Sequence, residues 1–362
     1  MKILYLIGNG FDLHVGLDTS YQSFLKYYLA QPVPDALDDI GKRYIARLKA
    51  DIQDNIQLWS DFELQYGKHM RMLGTMDKAV HTLEEELDII NDDVREKMSA
   101  FISNENSKVG FSDEARTKFL ADVIKPEMHI RDFERNTIGS MRANSWNGTA
   151  NVVDFITFNY TNTLEALVRS NIATSGSFEI HEPVHVHGYY DRRMIMGVND
   201  LKQIENEELR KLTYAADALV KPNNNHAYGV THTNRCETLI NDAQLICCYG
   251  LSYGDTDKLW WQRICNTLLQ HNGVYVILFE YVKDLPSYAN HGHKLQHLMR
   301  QHADHFLIQG GIDEFKRQQL ANRVYVSIND SLFDIRIELG NLVVDLPSSS
   351  AVTEKIIGQK EK

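Results

Sequence analysis

Cysteine is scarce in this chain of 362 residues, and its placement speaks against a metal site. The four cysteines are Cys236, Cys247, Cys248 and Cys265, and none of them forms a C-x-x-C pair. Cys247 and Cys248 are adjacent within an apolar run, which is typical of reduced core residues in a cytosolic protein. We therefore expect buried thiols, no metal and a cytoplasmic location.

Long apolar runs and an excess of positive charge are also missing. No apolar run approaches the ~20 residues that span a bilayer, and the apolar start lacks the cleavage site of a signal peptide. The net charge of −11 argues against a broad nucleic-acid footprint, and the basic runs do not exceed Arg192-Arg193. We therefore expect neither a membrane nor a nucleic acid as partner. The hydrophobic share of 43% is enough for a sizeable core.

The start of the chain carries its most informative pattern. An apolar run from Ile3 to Ile7 predicts a fully buried strand, and Gly8 and Gly10 follow it directly. Glycines at this point allow a tight turn and leave amide N–H groups open to an anion. The dinucleotide fingerprint requires a third glycine near position 13, where this chain has Leu13. The motif indicates either a phosphate site or a plain strand-to-helix turn.

Further apolar runs predict an α/β fold with a mostly parallel, doubly wound, Rossmann-like sheet, because helical stretches separate several of them. The runs are 152–158, 184–187, 195–196, 245–249, 274–279 and an edge strand at 323–327. The region 35–148 differs, because its charge is dense and its apolar residues follow helical spacing. Thr82 and Glu85 are spaced as a capping box there.

These patterns divide the chain into three parts. Residues 1–34 and 149–345 are the predicted α/β nucleotide-binding domain, and 346–362 is a predicted mobile tail. Residues 35–148 are the predicted helical insertion. The insertion is either a cap packed on the main domain or a surface for a partner, including a second copy of the chain.

Polar residues follow five of the predicted strands, at the edge where ligands bind in open parallel sheets. These strand ends are Gly8-Asn9-Gly10-Phe11-Asp12, Thr157-Phe158-Asn159-Tyr160-Thr161, His187-Gly188, Gly250-Leu251-Ser252-Tyr253-Gly254-Asp255 and Glu280. We therefore predict a pocket at this edge.

Each polar side chain also has a purely structural interpretation. In this interpretation, His187 does no more than hydrogen-bond within a strand turn, and Asn159 does no more than form a turn. Asp12 could hold an imidazole or a hydroxyl, or cap the following helix. Asp255 and Asp257 could cap the helix that holds Trp260 and Trp261. His185 shares the predicted strand face of His187.

The ordered set of motifs resembles the bacteriophage abortive infection AbiH family, over residues 1 to roughly 330. The motifs are Gly8-Asn9-Gly10-Phe11-Asp12, Trp59-Ser60-Asp61-Phe62-Glu63, Phe158-Asn159-Tyr160-Thr161-Asn162-Thr163-Leu164-Glu165, His185-Val186-His187-Gly188 and Gly250-Leu251-Ser252-Tyr253-Gly254-Asp255. That family is in turn distantly similar to the sirtuin-like superfamily of NAD-binding folds.

The sirtuin resemblance implies roles for single positions. Gly8 and Gly10 match the glycines that hold the cofactor phosphates, and Asn159 matches the asparagine beside the nicotinamide ribose. His187 matches the general base that engages a ribose hydroxyl. Gly250 and Ser252 match a second phosphate-side turn, and Glu280 falls near the adenosine ribose. Phe158 and Thr161 depart from the sirtuin glutamine and aspartate, and the four-cysteine zinc module is absent, so deacylation of a peptide is in doubt.

Two sets of candidate site residues follow. The catalytic candidates are Asn159 and His187. The nucleotide-binding candidates are Gly8, Asn9, Gly10, Phe11, Asp12, Thr157, Tyr160, Gly188, Gly250, Ser252 and Glu280.

The resemblance implies a phage-defence protein that binds NAD and cleaves its nicotinamide–ribose bond, restrained until a phage-derived trigger arrives. The transition state of such a cleavage is similar to an oxocarbenium ion, and a neutral imidazole can activate the attacking water. Two alternatives stay open, because a fold alone does not establish a function. One is a non-catalytic nucleotide sensor that signals through the helical insertion, and the other is an effector directed at nucleic acid.

Overall fold

The computed structural model describes residues 1–75, 80–144, 151–169, 178–227, 231–283, 285 and 291–338. In these ranges a seven-stranded parallel sheet forms, in the order β3-β2-β1-β5-β6-β7, and β4 also pairs with β2. The strands are β1 (Lys2–Ile7), β2 (Asn151–Thr157), β3 (Phe178–Ile180), β4 (Val184–His185), β5 (Leu245–Tyr249), β6 (Tyr275–Glu280) and β7 (Val324–Ile328). The predicted α/β fold with a parallel sheet is confirmed. The tail predicted at 346–362 lies outside the described residues.

The described residues also form fourteen α-helices. They are α1 (Asn9–Val15), α2 (Tyr21–Ala30), α3 (Asp39–Asp54), α4 (Phe62–His69), α5 (Leu83–Asn106), α6 (Asp113–Ile124), α7 (Asp132–Asn144), α8 (Thr163–Val168), α9 (Thr213–Leu219), α10 (Lys221–Ala227), α11 (Thr231–Asp242), α12 (Lys258–Gln270), α13 (Gly292–Gln309) and α14 (Glu314–Leu320). No helix among the described residues has the length and apolarity needed to cross a bilayer.

Helices cover both faces of the sheet, which explains why its strands read as continuous apolar runs. Tyr5 of β1 lies on one face and packs with Phe119 of α6 in a core that α1, α7 and α8 complete. Leu6 lies on the other face and shares a core with Trp261 of α12 and Phe306 of α13. The alternation along β1 therefore places a separate apolar layer on each side.

A third core lies in a layer of helices away from the sheet. Phe24 of α2, Leu48 of α3, Phe62 of α4 and Met98 of α5 belong to it, together with Leu219 of α9. The predicted insertion 35–148 thus contributes α3, α4 and α5 to this helical layer, whereas α6 and α7 pack on the sheet. Its extent as a separate domain stays a prediction.

Local signals in the sequence have mixed outcomes. The capping box at the start of α5 is confirmed, because the Thr82 N–H donates to Glu85 Oε2 at 2.8 Å and the Glu85 N–H donates to Thr82 Oγ1 at 3.2 Å. The short strand predicted at Ile195 and Met196 is wrong. Both residues are apolar because they are buried, and the Ile195 N–H donates to the carbonyl of His187 at 2.8 Å.

His129 joins the loop after β7 to α6. Its Nε2 lies 3.3 Å from Asp122 Oδ1, and its Nδ1 bonds to Asp330 Oδ1. Burial lowers the pKa of His129, but the hydrogen bonds and charges of Asp122 and Asp330 outweigh it and raise the pKa to about 9. The imidazole is therefore a cation at neutral pH.

Candidate active site

A cleft of about 540 Å³ lies beyond the carboxyl ends of β1, β2 and β5. The turns after these strands form its floor, and Asp61 of the segment before α4 and Met98 of α5 contribute to a wall from the helical layer. The predicted pocket at this edge is therefore present, and Asn159 and His187 both line it. We call it the main cleft. A depression of similar size, about 520 Å³, lies at the β7 edge, away from these strand ends.

Three glycines interlock at the floor of the main cleft. The Gly8 N–H donates to the Tyr249 carbonyl, and the Gly10 N–H donates to the Gly250 carbonyl, both at 2.9 Å. A Cβ on Gly8 would lie 2.4 Å from the Gly250 oxygen. Gly250 itself has φ +68°, and its Cβ would lie 2.6 Å from the Phe11 nitrogen. The two turns need glycine to approach each other, and these two amides already have acceptors, so a phosphate here requires other donors.

Asp12 is buried at the base of the main cleft. Thr161 Oγ1 donates to its Oδ2 at 2.7 Å, and Thr163 Oγ1 donates to Thr161 at 3.0 Å. Burial raises the pKa of Asp12 to about 6, although the polar side chains of Thr161, Thr163 and Asn159 beside it oppose the rise. Within the described chain its Oδ1 has no hydrogen-bond partner. Asp12 does not cap α1, whose N-cap is Gly8.

Buried His187 and partly exposed Asp257 form an acid–base pair in the wall of the main cleft. Asp257 Oδ1 lies 2.9 Å from His187 Nε2, and because a carboxylate only accepts, Nε2 donates. Nδ1 then carries the lone pair of a neutral imidazole, and no described residue hydrogen-bonds to it. The alternative that Asp257 caps α12 is wrong, because its side chain makes no capping bond and pairs with His187 instead.

Two further charged residues extend this pair, and sequence reasoning missed their role. Lys221 Nζ, at the start of α10, donates to Glu63 Oε2 at 2.7 Å and to Asp257 Oδ1 at 3.0 Å. Burial lowers the pKa of Lys221, but Asp257 and Glu63 outweigh it and raise the pKa. Burial raises the pKa of Asp257, but Lys221 and His187 hold it well below its usual range. Glu63 is the last residue of the Trp59–Glu63 motif described above, and this motif was the only sequence signal for its role.

Asn159 is held by its backbone rather than by its side chain. Its N–H donates to Thr157 Oγ1 at 3.2 Å, and its carbonyl accepts from His185 Nδ1 at 2.9 Å. His185 Nε2 donates to Glu165 Oε1 at 2.6 Å, so both ring nitrogens have partners. Asn159 Oδ1 has none among the described residues. His185 therefore positions the backbone of Asn159, and the side-chain oxygen of Asn159 is buried without a described partner.

Most of the predicted site residues come together at the main cleft. Those that line it are Gly8, Asn9, Gly10, Asp12, Asn159, Tyr160, His187, Gly250 and Ser252. Four others, Phe11, Thr157, Gly188 and Glu280, are not among the residues that line it, and their predicted role in binding stays a prediction.

Phe11 and Thr157 lie behind the surface of the main cleft. The Phe11 ring is buried in the core, with an edge contact to Phe333 at 5.5 Å between centroids. Thr157 is buried and supports Asn159 through its hydroxyl. Phe11 packs in the apolar layer beside the sheet, and Thr157 bonds to the backbone of Asn159. Both residues therefore support the floor of the main cleft without lining it.

Gly188 and Glu280 have structural roles away from the main cleft. Gly188 has φ +72°, and a Cβ there would lie 1.9 Å from the Arg193 oxygen, so this glycine closes a tight turn. Glu280 Oε2 lies 3.2 Å from His302 Nδ1 of α13. The carboxylate therefore faces a helix that covers the sheet.

The architecture and the cleft define an α/β protein with a ligand site at the carboxyl edge of a parallel sheet. The model of the family described as bacteriophage abortive infection AbiH matches residues 4–279, about three quarters of the chain. The chain belongs to this family, and its membership supports a role in phage defence. A search of curated proteins found no match. The similarity to sirtuins stays a prediction.

Proposed function

We propose that the protein acts in phage defence by binding NAD in the main cleft and hydrolysing its nicotinamide–ribose bond. One observation carries this proposal: His187 lines the cleft and has a buried ring nitrogen without a partner among the described residues, while Asp257 holds the other nitrogen. Asn159, with an amide oxygen that likewise lacks a described partner, lines the same cleft. A volume of about 540 Å³ suits a ligand of this size.

The chemistry assigns a task to each group. The bond between ribose C1′ and the pyridinium nitrogen breaks, and its electron pair leaves with nicotinamide. A water oxygen bonds to C1′, and its proton passes to His187 Nδ1. Asp257 stabilises the imidazolium that forms, and Asn159 orients the water. Proton transfer of this kind contributes about 10²–10⁴-fold to the rate.

The charge of the main cleft favours binding of the nicotinamide end of NAD. Asp12, Asp61, Glu63 and Asp257 line it, and no described lining residue is Lys or Arg. A negative, partly buried cleft attracts a cation, and the nicotinamide ring of NAD is a cation. Nicotinamide riboside carries the same cationic ring without the pyrophosphate, so it should be a substrate as well.

A non-catalytic sensor is the second candidate function. The main cleft is lined by the sheet turns and also by the helical layer, through Asp61, Glu63 and Ile102. A ligand in it would contact both layers and could change how they pack, as a sensor requires. No observation favours an effector directed at nucleic acid.

Incubation of the purified protein with NAD or nicotinamide riboside, followed by chromatography of nicotinamide, tests the proposal. The reduced cofactor NADH, whose nicotinamide ring is neutral, is the chemical control. The His187→Ala variant should release no nicotinamide, whereas His297→Ala, an exposed histidine of α13, should behave as the wild type. The NAD content of phage-infected cells should fall with the wild type and not with His187→Ala.

Each result points to one function. Stabilisation by NAD in a thermal melt, without release in vitro or loss of NAD in infected cells, would favour the sensor. Neither release, nor loss, nor stabilisation would refute both functions.

A further inference from the structure

A second cleft lies next to the main cleft, beside His187. Its volume is about 270 Å³, and it is formed mainly by α10, α11 and α12. His187, Thr256 and Asp257 line both clefts, so the two clefts adjoin at these three residues. We call it the acceptor cleft. A ligand in either cleft can therefore reach the same imidazole.

The charges of the acceptor cleft are paired with each other. Arg263 of α12 forms an ion pair with Glu237 of α11, and its guanidinium lies 4.7 Å from the centre of the Trp260 ring. Lys221 is held by Glu63 and Asp257. The cleft thus has little uncompensated charge to attract an ion.

What remains for recognition is neutral and polar. Asn199, Asn225 and Asn234 place amides in the lining, and each amide both donates and accepts. Trp260 adds an aromatic surface, and Arg263 Nη1 is a buried donor with no hydrogen-bond partner in the described ranges. This combination suits a neutral group with several hydroxyls, such as a sugar or the ribose of a nucleoside.

The size of the acceptor cleft speaks against water as its only occupant. A water molecule takes about 30 Å³ of liquid volume, and hydrolysis needs a single one beside His187. A cleft of about 270 Å³ next to the general base has room for a whole sugar ring. The space is therefore far larger than hydrolysis requires.

We propose that the acceptor cleft binds a neutral sugar and that His187 directs a sugar hydroxyl, rather than water, at ribose C1′ of NAD. The inference rests on the proposed cleavage of NAD in the main cleft. The C1′–nitrogen bond breaks and its electron pair leaves with nicotinamide. The hydroxyl oxygen bonds to C1′, its proton passes to His187 Nδ1 and then to solvent, and the product is an ADP-ribosylated sugar.

D-Ribose is the probe, and it is added with NAD over a wide range of concentration. Mass spectrometry measures the ratio of ADP-ribosyl-ribose to ADP-ribose, and ligand-observed NMR measures ribose binding without NAD. Asn234→Trp on α11 fills the acceptor cleft, and Thr238→Trp, exposed one turn further along and outside the lining, is the matched control. Asn234→Trp should lower the ratio by about tenfold or more, since a steric change in a pocket has effects of this order. Thr238→Trp should leave both the ratio and ribose binding unchanged.

The outcomes separate the inference from the function it rests on. Nicotinamide release with ADP-ribose as the sole product at every ribose concentration would overturn the acceptor role and leave hydrolysis standing. Ribose binding that is absent from the wild type, or equal in Asn234→Trp, would overturn the site itself. An absence of nicotinamide release would refute the cleavage and with it the transfer, while ribose binding would still decide whether the acceptor cleft is a sugar site.

Discussion

Replacing Lys221 by methionine should destabilise the protein strongly, because the buried carboxylate of Glu63 and the partly exposed carboxylate of Asp257 would lose their shared cation. The side chain of Lys221 is 4% exposed, and that of Glu63 is 6% exposed. Its Nζ is 2.7 Å from Glu63 and 3.0 Å from Asp257. Breaking a buried pair by removing one partner costs about 3–5 kcal/mol. We expect Lys221→Met to lower the free energy of unfolding by about this amount at pH 7, measured by urea denaturation.

Lys211→Met is a matched control for this change. Lys211 Nζ also lies 2.7 Å from a carboxylate, that of Glu208, but both side chains are more than 60% exposed. Exposed pairs of this kind are worth about 0–1 kcal/mol. The distance to the nearest carboxylate is equal in the two cases, so the difference between the two variants measures the effect of burial together with that of the second carboxylate at Lys221. Melting both variants in the same buffer removes differences in salt and pH.

A second substitution tests the reason for the loss. Glu63→Gln in the Lys221→Met background removes one of the two unpaired charges, so the double variant should be more stable than Lys221→Met alone. The loss in Lys221→Met should also shrink below about pH 4, where carboxylates take up protons. A cost of less than about 1 kcal/mol for Lys221→Met, or one equal to that of Lys211→Met, would refute the reasoning.

Three further predictions concern titration and backbone conformation. The pKa of Asp12 rises from 3.8 to about 6 on folding, so its contribution to the free energy of unfolding is complete below pH 3.8 and is lost as the pH rises through 6. In urea denaturation, the contribution of this position should not change with pH over this window in Asp12→Asn. The variant should be up to about 3 kcal/mol more stable than the wild type at pH 8. The pKa of His129 rises from 6.5 to about 9 on folding. The free energy of unfolding of the wild type should therefore fall by about 1–2 kcal/mol between pH 6.5 and 9.5, a figure reduced because the side chain is partly exposed. An equal fall in His129→Gln would contradict this. Gly250→Ala should cost about 2–4 kcal/mol in a thermal or urea melt, because alanine is strained at φ +68° and its Cβ would clash with α1. The control Gly273→Ala, which has open space around its Cβ, should stay within about 0.5 kcal/mol of the wild type.

The sheet could be predicted because burial on both faces leaves a direct mark on the sequence. The runs at Ile3–Ile7 and 245–249 are apolar throughout, and both form central strands. Ile195 and Met196 are equally apolar, but they are buried without a strand partner. Apolar character therefore reports burial, and only the three-dimensional context decides whether a buried segment joins the sheet.

The candidate site could be predicted only in part. Asn159 and His187 were accessible because parallel strands end at one edge, so the ends of distant segments meet there. Asp257 was ambiguous, since an aspartate just before a helix is also a common N-cap. Lys221 carries no local signal and Glu63 only its place in the Trp59–Glu63 motif, because a buried ion pair joins residues of unrelated positions along the chain. Their ion pair can be identified only from the three-dimensional packing of the helical layer.

The charged chain Glu63–Lys221–Asp257–His187 also has a consequence for biosynthesis. Its members are far apart in the order of translation, and Asp257 emerges from the ribosome last, after His187 and Lys221. A nascent or prematurely terminated polypeptide lacking Asp257 has an imidazole without its orienting carboxylate. The acid–base apparatus is thus assembled only when most of the protein has been made, and a translation product that ends before Asp257 cannot contain it.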